Sequence, residues 1–275
     1  MRALLAALAA PLLLAQAPDA FPQPRQGAFA TAGDMRQGGL VRGAAPAGAV
    51  AVTVDGRPLP LDGAGRFIFG LDRDAAARVV LAARLADGNE VEMPLAVAPR
   101  AWAIEHVNVA RRPGGATADY LKLREAELAR IAAARTIRSE TGGWRQRFIW
   151  PARGRISGRF GAQRVYRGEP AAYHSGTDVA AGAGAPVVAP ADGVVVLAGP
   201  PDFSLEGKLL LLDHGMGLNS AFLHLASQQV RQGDRVRQGQ VLGTVGATGR
   251  ATGPHLHWSV KWHDARLDPE ALVAR

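Results

Sequence analysis

Residues 253–260 read Gly253-Pro254-His255-Leu256-His257-Trp258-Ser259-Val260, and the alternation inside that stretch decides the fold class. On a strand successive side chains leave opposite faces, so His255 and His257 share one face while Leu256 and Trp258 share the other. Two imidazoles on one face either bind something or meet solvent, and the apolar pair behind them asks for a core. Short stretches of the same kind recur upstream at 186–190, 193–198, 208–213, 220–224 and 241–245, in a region dense in Gly and Pro. Regular short strands between turn signals predict an all-β barrel or sandwich, with no helix between Pro151 and Leu267.

Two other histidine stretches belong to the same region. In His174-Ser175-Gly176-Thr177-Asp178 the glycine disfavours a helix, so the segment reads as a loop entering a strand. An imidazole and a carboxylate at that spacing can share one ion, and zinc accepts both ligand types at about 2.0–2.2 Å. Phe222-Leu223-His224-Leu225 places a histidine among apolar residues, which alone describes a half-buried side chain. His106 and His263 fall outside these stretches, and His214, after Asp213, reads as a hairpin-turn residue; none of the three is expected to be a ligand. The 275 residues include 7 His and no Cys. Disulfide scaffolds, cysteine zinc fingers, iron–sulfur sites and thiol nucleophiles are therefore excluded, and any metal must be held by His and carboxylate.

Upstream the chain is also β-rich. Between about Gly38 and Pro99, Val50, Val52 and Val54 run into Asp55-Gly56, Phe67 and Phe69 follow Gly63–Gly65, and Val79 and Leu81 lead to Asp87-Gly88. Period-two apolar residues separated by Asp-Gly predict hairpins in a small antiparallel sandwich, assigned to 38–100. From Thr117, a plausible N-cap, to about Ser139 the pattern is helical, with Thr141-Gly142-Gly143 as the stop; 117–146 is a basic helical connector. The net charge of +8 is concentrated there: 111–167 holds 14 Lys+Arg against 4 acids, leaving the remainder at −2. Such a run reads either as a solvated spacer or as a surface near an anionic ligand or shielding the site. At the N-terminus, Met1–Ala17 (MRALLAALAAPLLLAQA) has one Arg, an apolar run and a small-x-small end. That is the layout of a signal peptide, too short for a spanning helix of about 20 residues, so the mature chain is expected in the periplasm or secreted, with no integral membrane span.

Taken in order, HSGTD, FLHL and ATGRATGPHLHW resemble the signature segments of the M23 family of zinc metallopeptidases, the lysostaphin/LytM-type peptidoglycan endopeptidases. Arg155–Gly161, Ala185–Val196 and Gly233–Gly246 resemble the start and core strands of its catalytic domain, and the front half resembles a Gram-negative-type subgroup. The resemblance implies a C-terminal antiparallel β-sheet catalytic domain at 148–275. It implies one Zn²⁺ per chain held by His174, Asp178 and His257, with His224 and His255 as the catalytic pair. It implies hydrolysis of peptide bonds in peptidoglycan stems or cross-links, D-Ala–diaminopimelate bonds first, by a zinc-activated water. Tyr166 and Tyr173 both lie where an oxyanion-assisting tyrosine could come from, and the sequence does not choose between them.

The alternative within the family is a catalytically silent wall-binding activator of other murein hydrolases, but such proteins lose ligands and here all five residues are present. A biotinyl or lipoyl carrier lacks its lysine pattern around Lys208. Nucleic acid is not an expected partner, because no recognition motif accompanies the arginines. Oligomeric state is not legible.

Overall fold

The computed structural model describes residues 21–109 and 117–273; the signal peptide expected at 1–17 lies outside them. Among the described residues no helix is long and apolar enough to cross a membrane. The front half contains β1 (Ala30–Gly33), β2 (Leu40–Ala44), β3 (Ala49–Val54), β4 (Arg57–Pro58), β5 (Arg66–Gly70), β6 (Arg78–Leu85) and β7 (Glu90–Ala96). They form two antiparallel sheets, β1-β2-β5 and β4-β3-β6-β7. Val52, Val54 and Leu81 are buried, as their alternation requires, but Val50 is 60% exposed, because a register shift between Ala49 and Ala51 breaks the alternation there. The Asp55-Gly56 turn has both residues at positive φ, 46° and 76°, the backbone that a two-residue hairpin loop needs. The first sheet starts at Ala30, ahead of the expected boundary at 38, because Ala30-Thr31-Ala32-Gly33 has no alternating apolar pattern to announce a strand.

The connector is helix α1 (Ala118–Thr136), reached after β8 (Ile104–Val107). Thr117 caps it, its hydroxyl accepting the Tyr120 N–H at 3.2 Å. The helix ends at Thr136, short of Ser139, because the chain turns extended at Ile137 and the Ser139 N–H is taken by the Asp213 carboxylate at 2.6 Å. Gly142-Gly143 serves another purpose than stopping it: a Cβ on Gly143 would overlap the Asp192 carbonyl. The burial of α1 inverts its hydropathy. Leu121 and Leu128 are 58% and 49% exposed, while Glu127 and Ala134 are buried. Glu127 accepts the Ser204 N–H and hydroxyl at 2.5 and 2.7 Å. Arg124 bridges Glu127 at 2.9 Å and forks onto Glu206 at 2.6 and 2.5 Å. The arginine-rich helix is thus no solvated spacer; it is bound to the segment 201–207 by buried charge.

The back half is a ten-stranded sheet with a small satellite. Its strands are β9 (Arg155–Gly158), β10 (Gln163–Tyr166), β11 (Glu169–Pro170), β12 (Thr177–Ala180), β13 (Pro186–Val188), β14 (Gly193–Leu197) and β15 (Lys208–Asp213). They continue with β16 (Leu218–Gln228), β17 (Arg235–Val236), β18 (Val241–Val245), β19 (Leu256–Trp262) and β20 (Ala265–Leu267), before the short α2 (Pro269–Leu272). The path is β17-β14-β15-β16-β19-β12-β9, with β13, β18 and β20 on its margins; β8, β10 and β11 form the satellite. One face holds the core, where Trp258, Phe148 and Phe222 are fully buried in a cluster continuous with Phe67 and Phe69 of the front half. The opposite face carries α1: Ala134 packs with Leu197, Leu209, Leu211 and Ala221.

His214 does follow β15 in the β15–β16 turn, but it is fully buried. Its Nδ1–H donates to the Asp192 carbonyl at 2.8 Å and Nε2 accepts from the Ser220 hydroxyl at 2.8 Å. Burial, opposed by the Asp192 carbonyl and the Asp213 charge, pushes its pKa down from 6.5 to about 4.

Two predictions follow from these buried groups. Between pH 6.5 and 4 the unfolded chain binds the proton that folded His214 refuses, so stability is full above the upper value and falls towards the lower by about 3 kcal/mol. Urea unfolding across that range should show the loss, and His214→Gln should flatten it. Arg124→Met leaves Glu127 and Glu206 without their cation and should cost about 3 kcal/mol, whereas Leu128→Ala on the exposed face should stay within about 0.5 kcal/mol.

Candidate metal centre and flanking histidines

Strand register brings the first two donors together. Asp178 of β12 lies directly opposite His257 of β19, and residues opposed across an antiparallel pair share a face. His174 arrives from the loop before β12. The three donor atoms meet closely: His257 Nδ1 to Asp178 Oδ1 is 2.8 Å, His174 Nε2 to Asp178 Oδ1 is 3.1 Å, and His174 Nε2 to His257 Nδ1 is 3.1 Å. Among the described residues this is the one His/Asp/Glu cluster able to hold a metal ion. Zinc bonds of about 2.0–2.1 Å in a tetrahedron put donor atoms roughly 3.3 Å apart, so an ion fits after a small outward shift. Two nitrogens and one oxygen also make the donor set that zinc favours, and a fourth position would stay open.

The backbone fixes how His174 presents itself. Its Nδ1 faces the Arg159 carbonyl at 3.0 Å, and because a carbonyl only accepts, Nδ1 carries a proton; Nε2 faces the cluster, an N–H donor to Asp178 without an ion and a lone pair once that proton is lost. The 159–163 turn is itself held: Gly161 N–H donates to the His174 carbonyl at 2.9 Å, and His174 N–H to Ala162 O at 2.8 Å. Arg73, buried in the front half, donates to Gly161 O at 3.2 Å and to Gln163 at 3.0 Å. Two glycines leave room for the ligands. A Cβ on Gly176 would stand 2.5 Å from the Trp258 carbonyl oxygen and 2.7 Å from His257 Nε2, and one on Gly158 would overlap Asp178.

His224 and His255 stand beside the three donors. Their rings lie 4.8 Å apart, and His255 Nε2 is 3.9 Å from Asp178 Oδ1. Each points Nδ1 at a backbone carbonyl, His224 at Thr248 and His255 at Gly253, both at 2.8 Å. Both rings are therefore held with Nδ1 as donor and Nε2 free to exchange a proton. Simple alternation would turn His224 away from Leu223, which shares the His257 face. Instead β16 carries register shifts against β15 and β18 around this point, and His224 adopts φ 63°. The bulge re-aims the side chain into the site. The N–H of His224 donates to the Glu206 carbonyl at 2.9 Å, the residue that Arg124 of α1 grips by its carboxylate.

Electrostatics follow from this crowding. Burial alone would raise the Asp178 pKa, but hydrogen bonds from His174 and His257 and their charge hold the carboxyl well below its usual range. Burial lowers His174 as well, yet the hydrogen bond and charge of Asp178 bring it above the ordinary histidine value. Burial dominates at His257 and His224 and pushes both down; for His224 the neighbouring His255 and His257 add to the effect. A cavity of about 680 Å³ opens beside His174 and Asp178, lined also by Tyr166, Gln163 and Arg164. Tyr173 is turned elsewhere, its hydroxyl accepting from Arg266 at 3.2 Å.

All five histidine and aspartate positions singled out in the sequence thus converge, and the three histidines set aside do not join them. Sequence reasoning missed Arg73, Thr248, Glu206 and the α1 charges, which act through backbone carbonyls and have no motif. The glycines of HSGTD and RISG were the available signal for close approach.

Residues 172–269 match the model of peptidase family M23. The chain is 41% identical over 120 residues to peptidoglycan DD-endopeptidase ShyC of Vibrio cholerae, covering 43% of this chain and 27% of that one. It is 36% identical over 133 residues to cell division protein DipM of Caulobacter vibrioides, covering 48% of this chain and 20% of the relative. The chain therefore spans about a quarter of the length of these curated relatives. Similarity extends over nearly the whole chain in the crystal structure of a peptidase M23 from Pseudomonas aeruginosa. There the identity is 31%, the TM-score 0.62, and the coverage 91% of this chain and 94% of that one.

The cradle around His257 is open to test. Gly176→Ala should displace the His257 ring and weaken divalent-ion affinity about 10–100-fold, measured by chelator competition, while circular dichroism stays unchanged.

Proposed function

This chain belongs to peptidase family M23, and we propose that it is an exported, zinc-dependent endopeptidase acting on peptidoglycan stems or cross-links in the periplasm or outside the cell. The observation that carries the reading is the meeting of His174, Asp178 and His257 within 3.1 Å of one another, with two carbonyl-oriented imidazoles beside them. Bound there, zinc would supply Lewis acidity, polarising a carbonyl and lowering the pKa of water to about 7. The chain's own residues supply the rest. His224 and His255 turn their Nε2 atoms toward the open position, one to take a proton on its lone pair and pass it to the leaving amine, the other to donate an Nε2–H to the charge that develops on oxygen. Depressed basicity keeps His224 neutral near pH 7, as a proton acceptor must be. The name of the Vibrio relative, a peptidoglycan DD-endopeptidase, supports D-Ala–diaminopimelate as the bond.

The test is metal analysis joined to digestion of purified sacculi with identification of the released muropeptides. The expected result is one zinc per chain and release of cross-link cleavage products. His257→Ala should lose both zinc and activity. His255→Ala should keep zinc and lose activity by about 10²–10⁴-fold. Zinc-loaded protein that leaves sacculi intact would sink the reading in favour of a silent, wall-binding member.

A further inference from the structure

The face that carries the metal ligands does not end at them. Along β19, Ser259 and Lys261 follow His257 on the same side, so Lys261 stands about 13 Å further along the strand. Across β19 it is flanked by Arg266 of β20 on one side and Asn219 of β16 on the other. Arg135 of α1 reaches the same place. It follows Ala134, which seats the helix on Ala221, and Ala221 in turn is the register partner of Ser259. Three cations therefore gather on the sheet face that bears the ligands, at the C-terminal end of α1.

Arg266 donates to the Tyr173 hydroxyl at 3.2 Å, whereas no carboxylate is paired with Arg135 or Lys261 among the described residues. Arg135, Lys261 and Arg266 make no ion pair, and the Arg135 Nη1 is buried without an acceptor. The nearby carboxylates are Asp72, whose Oδ2 accepts the Arg266 backbone N–H at 2.8 Å, and Asp264. Burial first, then the charges of Arg135 and Arg266, depress the basicity of Lys261. A buried guanidinium facing two further cations is costly unless an anion completes it. Its planar fork matches a carboxylate.

We propose that Arg135, Lys261 and Arg266 form a carboxylate-binding subsite that holds a free carboxylate of the acidic peptide substrate, two to four residues from the bond cut at the metal centre. This rests on the peptidase reading above. An extended peptide advances about 3.3–3.6 Å per residue, so a span of about 13 Å, shortened by the reach of Lys and Arg side chains, matches that separation. The subsite sets which peptide is accepted and leaves the hydrolytic step to the histidines.

The test uses zinc-loaded protein and two probes, a cross-linked muropeptide dimer and the same dimer with its free carboxylates amidated. Wild type should have a KM about tenfold higher for the amidated dimer. Lys261→Gln and Arg135→Gln should raise KM for the acidic dimer about tenfold, with kcat and zinc content unchanged, and should no longer distinguish the probes. Arg84→Gln, an exposed arginine of the front sheet, controls for net charge. Because ligand-free Arg135 has no partner, Arg135→Gln should leave the melting temperature equal or higher; a structural arginine would lower it. Equal use of both probes by wild type, or variants that keep the wild-type preference, would overturn the subsite. If wild type cleaves neither probe, the peptidase reading fails on its own. Calorimetric binding of the acidic dimer then decides the subsite: weaker binding to Lys261→Gln supports it, equal binding overturns it.

Discussion

Asp178 lies between two imidazoles, 2.8 Å from His257 and 3.1 Å from His174, in a setting where burial works against its charge. A carboxylate so placed stays ionised only while hydrogen-bond donors are held against it. Those partners come from different segments: one across a strand pair, the other from a loop four residues upstream. Strand register can deliver His257, since it is an automatic consequence of pairing β12 with β19. A loop has no such guarantee, so His174 needs support from elsewhere, and much of the remaining architecture supplies it.

That support is traceable atom by atom. Arg73 in the front half grips Gly161 O; Gly161 and Ala162 pair with the His174 backbone; Arg159 O holds the far nitrogen of the ring. The front sheets thus act on the site without reaching it, through a guanidinium that also stacks on Trp102 and Tyr173 at 5.5 and 4.6 Å. The continuous apolar cluster between the halves explains why this works. A buttress transmits position only if its own base cannot slide, and close-packed side chains from both halves fix that base.

What the sequence disclosed and what it withheld divide along physical lines. β15 and β18 run over the expected residues, 208–213 and 241–245, because buried β-branched and leucine-rich stretches between turns leave the chain few choices. The set His174, Asp178 and His257 was legible through the resemblance of three ordered segments to family M23; residue type and spacing alone marked only candidate donors. β1 was not, since Ala30-Thr31-Ala32-Gly33 is a strand by virtue of its partner β2 and has no periodicity of its own. Nor was the aim of His224: period two sends it to the wrong face, and only a bulge with a left-handed residue brings it back. On α1 the apolar pattern pointed to Leu121 and Leu128, yet the helix turns Glu127 inward, because Ser204, Arg124 and Glu206 offer that carboxylate a fully bonded site. A buried charge network can outweigh hydropathy only when every member is satisfied, and satisfaction is a tertiary property.

The two ends of α1 then differ in a way that matters to the chemistry. At its N-terminal half Arg124 is paired twice, and the segment it holds supplies the Glu206 carbonyl that accepts the His224 N–H. At its C-terminal end Arg135 is desolvated beside Lys261 and Arg266 with an unmet donor. Charge is therefore already compensated at the end next to His224 and uncompensated at the end next to Lys261. An acidic ligand has nothing to gain by disturbing the first and much to gain by completing the second. The aim of His224 is in this way tied to the paired end of the helix, while the other end carries the guanidinium of the proposed carboxylate subsite.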